Sequence, residues 1–171
     1  MRWIFGLGAV LILVSDQLTK AAIMEAMVRG QSVDLPGGLV ALTYIHNSGG
    51  AFGLFPQGGP FFLATGLAVA LGILWALPRL EHWGSWTSIA CALILGGTVG
   101  NLIDRLRFGS VVDFIDLGWW PIFNVADSGI SVGICMLLVQ ALFVGSPEDG
   151  ARAVPPEPLA TSPPAQAGPE A

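Results

Sequence analysis

The sequence predicts an all-α membrane protein: four transmembrane helices, with a small β element on the long connection between helices 1 and 2. Three observations lead there. Hydrophobic residues make up 53% of the 171-residue chain and charged residues only 11%, less than half the share in ordinary soluble domains. Four apolar stretches stand apart, each near the ~20 residues a helix needs to cross ~30 Å of hydrocarbon. The ionisable residues of the apolar region gather at the ends of these stretches.

Span one covers Trp3–Met24. Arg2 precedes it, but its apolar run continues into SDQLTK rather than a small-residue cleavage site, so it reads as a retained anchor and not a cleaved leader. Asp16 and Lys20 lie four apart on one helix face. Residues 25–59 form the longest connection, where SVDLPGGLVALTYIHNSGGAFGLF mixes β-branched and aromatic residues with Gly and Pro turn signals. Short strands lying on the bilayer surface are expected there. Span two is Pro60–Pro78, and the short PRLEHWGS that follows puts Trp83 and Trp86 in an interfacial belt.

Span three, Trp86–Ile103, carries Gly96 and Gly100, a small-xxx-small pair that permits close helix approach, and runs into Asp104 and Arg105. A short connection with Trp119 and Trp120, again belt residues, leads to span four, Ile122–Val144. Residues 1–145 thus form one membrane domain. The tail, 146–171, is rich in Pro and Ala and is expected to be disordered. Cys91 and Cys135 fall inside spans, where a thiol behaves as a small hydrophobe. Neither has metal-ligand spacing, and no metal or cofactor is expected. With Arg2 cytoplasmic, Lys20, Arg29, Arg105 and Arg107 fall on the far side, against the positive-inside rule. If Lys20, Arg105 and Arg107 serve a site and are set aside, the remaining charges favour both termini inside.

An ionisable residue in or beside the membrane is a functional candidate, because burial there costs at least ~2.5 kcal/mol. The candidates are Asp16, Lys20, Asp104, Arg105, Asp113, Asp116 and Asp127. Four antiparallel spans bring the end of span one, the end of span three and the start of span four to the same side, and Asn47 leaves on that side too. The stretch VVDFIDLGWWPIFNVAD, residues 111–127, is apolar yet holds three aspartates and no cation. Two carboxylates near one water can divide hydrolytic work, because like charges a few ångströms apart split their pKa values. His46 and His82 lie on connections at opposite sides, which excludes a Ser–His pair, and no HExxH motif occurs. A hydrolase built on this sequence therefore uses aspartates.

Plainer roles accompany the chemical ones. Asn124 can cap span four with Asp127 favouring the helix dipole, a role compatible with catalysis. Asp113, between Val112 and Phe114, has no such local reason. Asp116 reads as interfacial and solvated. Asp104 and Arg105 read as structural support, pairing with Asp16 or Lys20. The alternative function is a small ion-coupled transporter relaying through Asp16, Lys20, Asp104 and Arg105. Against it, these charges sit near one interface rather than the midplane, and no internal repeat is present.

SDQLTK, HNSGGAFG, GGTVGNLIDR, GSVVDFID and FNVADSGI, in this order and at these spacings, resemble the bacterial lipoprotein signal peptidase family, signal peptidase II. The match spans residues 16–130. The resemblance implies an aspartic endopeptidase of the inner membrane with four helices and a periplasmic β-cradle. Its substrates would be diacylglyceryl-prolipoproteins, cut at the lipobox cysteine, with membrane lipids as surroundings and no nucleic-acid partner; a monomer is expected. It implies a catalytic dyad of Asp113 and Asp127, supported by Asp16, Lys20, Asn47, Asn101, Asp104, Arg105 and Asn124. It also implies cytoplasmic termini and an extracytoplasmic site. One departure is Gly50, where the family's loop motif usually has alanine.

Overall fold

The computed structural model describes residues 2–49, 58–80 and 84–144. Gly50, His82, Trp83 and the 146–171 tail lie outside the described residues. Four helices make up most of the rest: α1 (Arg2–Ala26), α2 (Gly59–Leu80), α3 (Gly84–Phe108) and α4 (Val125–Val139), the last continued by a π-helical turn over Gln140–Val144. All four are long and apolar enough to cross a membrane. Large side chains such as Trp3, Leu7 and Leu11 on α1 and Phe61 and Trp75 on α2 point outward, where lipid tails are as apolar a partner as protein.

α3 is the central helix, packed against α1, α2 and α4. Its buried residues are mostly small, including Ala90, Cys91, Ala92, Gly96, Gly97 and Gly100. Without water to drive association, helices in a bilayer gain from close backbone approach, and small residues allow it. Gly96 lies against the Ala9 carbonyl of α1 and Gly97 against the Ala126 carbonyl of α4. Gly100 faces the Asp16 carboxylate, where a Cβ would meet Oδ2 at 2.5 Å. From α4, Gly133 returns the contact against the Ala90 carbonyl. The Gly96–Gly100 spacing is thus part of a wider set that serves two partner helices at once.

α3 runs about a turn past Ile103, so Asp104 and Arg105 belong to its last turns. Gly109, at φ +70°, ends it: this left-handed backbone suits glycine, and its N–H returns to the Arg105 carbonyl at 3.0 Å.

The sheet has three antiparallel strands in the order β1 (Ser32–Asp34), β2 (Ala41–Asn47), β3 (Val111–Asp116). The first two lie on the connection after α1, where strands are expected. The third comes from the α3–α4 connection, read above as a loop. VVDFID has the β-branched and aromatic content of a strand, but Val111 through Phe114 are all buried, so no in–out alternation announces it. Pairing to β2 satisfies its backbone in a place with little water. Ile23 of α1, Tyr44 of β2 and Val112 and Phe114 of β3 form a buried cluster that fixes the sheet to the end of α1.

Gly97→Ala is expected to push α3 and α4 apart at the Ala126 carbonyl, an overpacking cost of roughly 1–3 kcal/mol. Thermal unfolding in detergent should show a lowered midpoint. Gly72→Ala, whose Cβ meets nothing within 4 Å, should leave the midpoint unchanged or slightly raised.

Candidate active site

Asp113 and Asp127 line one cavity of about 610 Å³, together with Asn47, Asn101 and Arg105. Asp113 stands on β3 and Asp127 in the first turn of α4. They reach the same space because Asn124 joins the strand to the helix. Asn124 is fully buried and caps α4: its Oδ1 accepts from the Asp127 N–H at 2.8 Å, while Asp127 Oδ2 accepts from the Asn124 N–H at 3.4 Å. Its Nδ2 donates to Asp113 Oδ1 at 2.7 Å. The capping box and the carboxylate pair share these atoms, so capping and site-building are one arrangement.

Two further amides complete the frame. Asn47 Nδ2 donates to Asp113 Oδ2 at 3.0 Å, and Asn101 Nδ2 donates to Asp127 Oδ1 at 2.8 Å. Each carboxylate therefore meets uncharged amide donors. Burial, followed by the neighbouring Asp127 carboxylate, pushes the Asp113 carboxyl up to about 7, against the pull of the Asn47 and Asn124 N–H groups and the Lys20 charge.

Behind the amides lies a buried charge cluster. Lys20 Nζ contacts Asp16 Oδ2 at 2.8 Å and Asp104 Oδ2 at 2.8 Å, and donates to Asn101 Oδ1 at 2.9 Å. Both carboxylates also accept from backbone: Asp16 Oδ1 from the Ala126 N–H at 2.9 Å, and Asp104 Oδ2 from the Val112 N–H at 3.1 Å. The nine residues of the implied dyad and its support therefore fall in two adjoining groups. Asp113, Asp127, Asn47, Asn101, Asn124 and Arg105 surround the carboxylate pair, while Asp16, Lys20 and Asp104 lie behind them. The pairing of Asp104 is with Lys20. Arg105 instead joins the cavity wall, with its guanidinium 5.4 Å from the Phe62 ring centroid and its buried Nε unpaired among the described residues.

Three expectations change. Residues 111–127 hold no cation, but the fold brings Arg105 to the carboxylate pair from α3. Asp116 is not merely solvated: it accepts from Thr43 Oγ1 at 2.8 Å and the Gly118 N–H at 2.8 Å, closing the far end of the β2–β3 pairing. Trp119 and Trp120 stack edge to face at 5.7 Å and wall the cavity, beyond their expected place in a belt. Gln17 escaped notice although its amide reaches Asp16 Oδ2, the Gly100 carbonyl and Asp104 Oδ1 at 3.1–3.2 Å. An amide inside an apolar span needs such partners, and that was the available signal. Among the described residues no group of His, Cys, Asp and Glu is placed to hold a metal.

A family model described as signal peptidase (SPase) II matches residues 8–143. The lipoprotein signal peptidase of Desulforapulum autotrophicum is 43% identical over 151 residues, covering 83% of this chain and 93% of that protein. That of Moorella thermoacetica is 44% identical over 138 residues, covering 81% and 92%. A solved bacterial membrane enzyme superposes with a TM-score of 0.77 at 28% identity, over 87% of this chain and 90% of that one.

Two outcomes follow from the site. Lys20→Met leaves Asp16 and Asp104 buried without their cation, and should cost about 3–5 kcal/mol, read as a large drop in the thermal midpoint. Asp113 has a folded pKa above its unfolded value, so its favourable contribution is complete below the unfolded value and is lost as pH rises through about 7. Asp113→Asn cannot ionise, so its stability relative to the parent should grow between about pH 4 and about pH 7 and level off above, as followed by thermal midpoints across that range.

Proposed function

The chain belongs to the signal peptidase II family, and from that premise we propose that it is a membrane-embedded aspartic endopeptidase. Its substrates are diacylglyceryl-modified prolipoproteins, from which it removes the signal peptide at the lipobox cysteine. One observation carries the aspartic mechanism: two carboxylates, Asp113 and Asp127, share a cavity, and Asn124 donates to both, through Nδ2 to Asp113 Oδ1 and through its backbone N–H to Asp127 Oδ2.

In this mechanism the pair holds a single proton. The ionised member takes a proton from a water as the water oxygen attacks the scissile carbonyl carbon. The protonated member donates to the carbonyl oxygen, giving a neutral gem-diol. Collapse breaks the C–N bond: the gem-diol returns a proton to one carboxylate, and the other carboxyl gives its proton to the leaving nitrogen. The pair ends with one proton, as it began, and titrates as a unit. The amides of Asn47, Asn101 and Asn124 suit this cycle because they hold carboxylates in place without forcing both to ionise. Arg105, whose buried Nε has no partner among the described residues, is assigned to the substrate.

The cavity also suits a lipidated substrate. Its walls include Trp119, Trp120, Phe123, Ile130 and Val132, apolar surface for acyl chains and a signal helix. In the proposed setting the protein is a monomer in the bacterial inner membrane, with cytoplasmic termini and the site at the extracytoplasmic face. The ion-coupled carrier reading finds no support: Lys20 has all three donors engaged within a satisfied network, and a relay needs a group free to change partners.

Asp113→Asn and Asp127→Asn should each reduce release of the signal segment from a purified lipidated proprotein by at least ~10³-fold while leaving the protein folded in detergent. Near-parental processing by either variant would remove that carboxylate from the mechanism.

A further inference from the structure

His46 is adjacent to Asn47 on β2, and the two side chains leave opposite faces of the strand. Asn47 goes to Asp113. His46 goes the other way and spans two groups: its Nε2 lies 2.9 Å from the Tyr44 hydroxyl and its Nδ1 lies 2.8 Å from Ser110 Oγ. Ser110 is buried in the two-residue turn that joins α3 to β3. Its hydroxyl hydrogen has an acceptor in the Phe108 carbonyl at 3.4 Å. The neutral imidazole joins both groups, donating through one ring nitrogen and accepting through the other. The Phe108 ring meets the imidazole edge to face at 5.8 Å, and Tyr44 is anchored in the cluster below the sheet.

Ser110 is where the helix carrying Asn101 and Arg105 hands over to the strand carrying Asp113. A bond from β2 to this turn fixes how far β3 slides along β2, and with it the reach from Asn47 to Asp113. We propose that His46 is a positioning residue for the reaction: by clamping the α3–β3 turn through Ser110, it holds Asp113 against Asn47 and in register with Asp127. The role is held by the neutral ring, and burial together with the charge of Arg29 lowers its pKa below the usual histidine value, against an opposing pull from Asp104. This inference rests on the dyad reading of Asp113 and Asp127.

The test is steady-state cleavage of a lipidated proprotein in detergent, with Asp113→Asn as the reference for the reading beneath it. His46→Ala should lower kcat by about 10- to 100-fold, the scale of a small misplacement of a reacting group, with KM within about twofold. Losing the Asn47 donor's hold should also move the Asp113 limb of the pH profile upward, since that bond favours the ionised form. His46→Asn, whose amide nitrogen stands near the Nδ1 position, should recover more of the rate than His46→Gln, which reaches only toward Tyr44. Ser110→Ala removes one hydroxyl from the clamp and should reproduce the kcat loss even if His46→Ala fails to fold. Unchanged kcat in both His46→Ala and Ser110→Ala, a loss confined to KM, or better rescue by Gln than by Asn would overturn the proposal. Cleavage surviving in Asp113→Asn would instead overturn the dyad, whatever the His46 variants do.

Discussion

The fold depends on one buried ammonium group. Lys20 is 1% exposed, and an unpaired charge in such a place would cost several kcal/mol. It is tolerated because each of its three donors has a partner, and each partner passes the constraint on. Asp16 carries it to the first turn of α4 through the Ala126 N–H, and Asp104 carries it to β3 through the Val112 N–H. Asn101 has its oxygen held by Lys20, so its NH₂ group must face Asp127. A single charge thereby sets the mutual placement of α1, α3, β3 and α4. The glycines of α3 make this possible: Gly100 leaves the room that the Asp16 carboxylate occupies.

The amides around the carboxylate pair answer a chemical conflict. In the proposed mechanism the pair shares one proton and needs firm placement, but a cation in direct contact would hold both members ionised. Asparagine resolves this, because a carboxamide N–H positions an oxygen with only part of a charge. The Lys20 charge is kept one residue further back, where it acts on Asp127 through Asn101, while Arg105 stands in the cavity wall. The arrangement separates support from chemistry by the length of a side chain.

Much of this was legible in the sequence, for identifiable reasons. Four ~20-residue apolar runs have few alternatives to spanning helices, and Asp16, Lys20, Asp104 and Asp127 stand out because charges are rare in such runs. Asn124 and Asp127 are three apart at a helix start, which announces a cap. β3 was hidden because it is buried on both faces and so shows no alternation. The α3 terminus was read short because Asp104 and Arg105 look like the end of a span when their buried partners are unseen. His46 and Ser110 carry no charge and reach each other across the fold, so nothing local distinguishes them from ordinary polar residues, whereas Gln17 shows only as an amide inside an apolar span. Arg105 was visible as a residue, but its approach to the carboxylates is a tertiary fact.

The cavity does not stop at the polar end of the bundle. It follows α4 from Asp127 to Val132, a side chain 52% exposed, and so extends along a surface that faces lipid. On the proposed function, a substrate anchored in the same bilayer arrives sideways through acyl chains rather than from water. Its relevant concentration is then a mole fraction in the membrane plane. Diluting the aqueous phase would leave turnover unaltered, whereas adding inert lipid at constant protein would slow it.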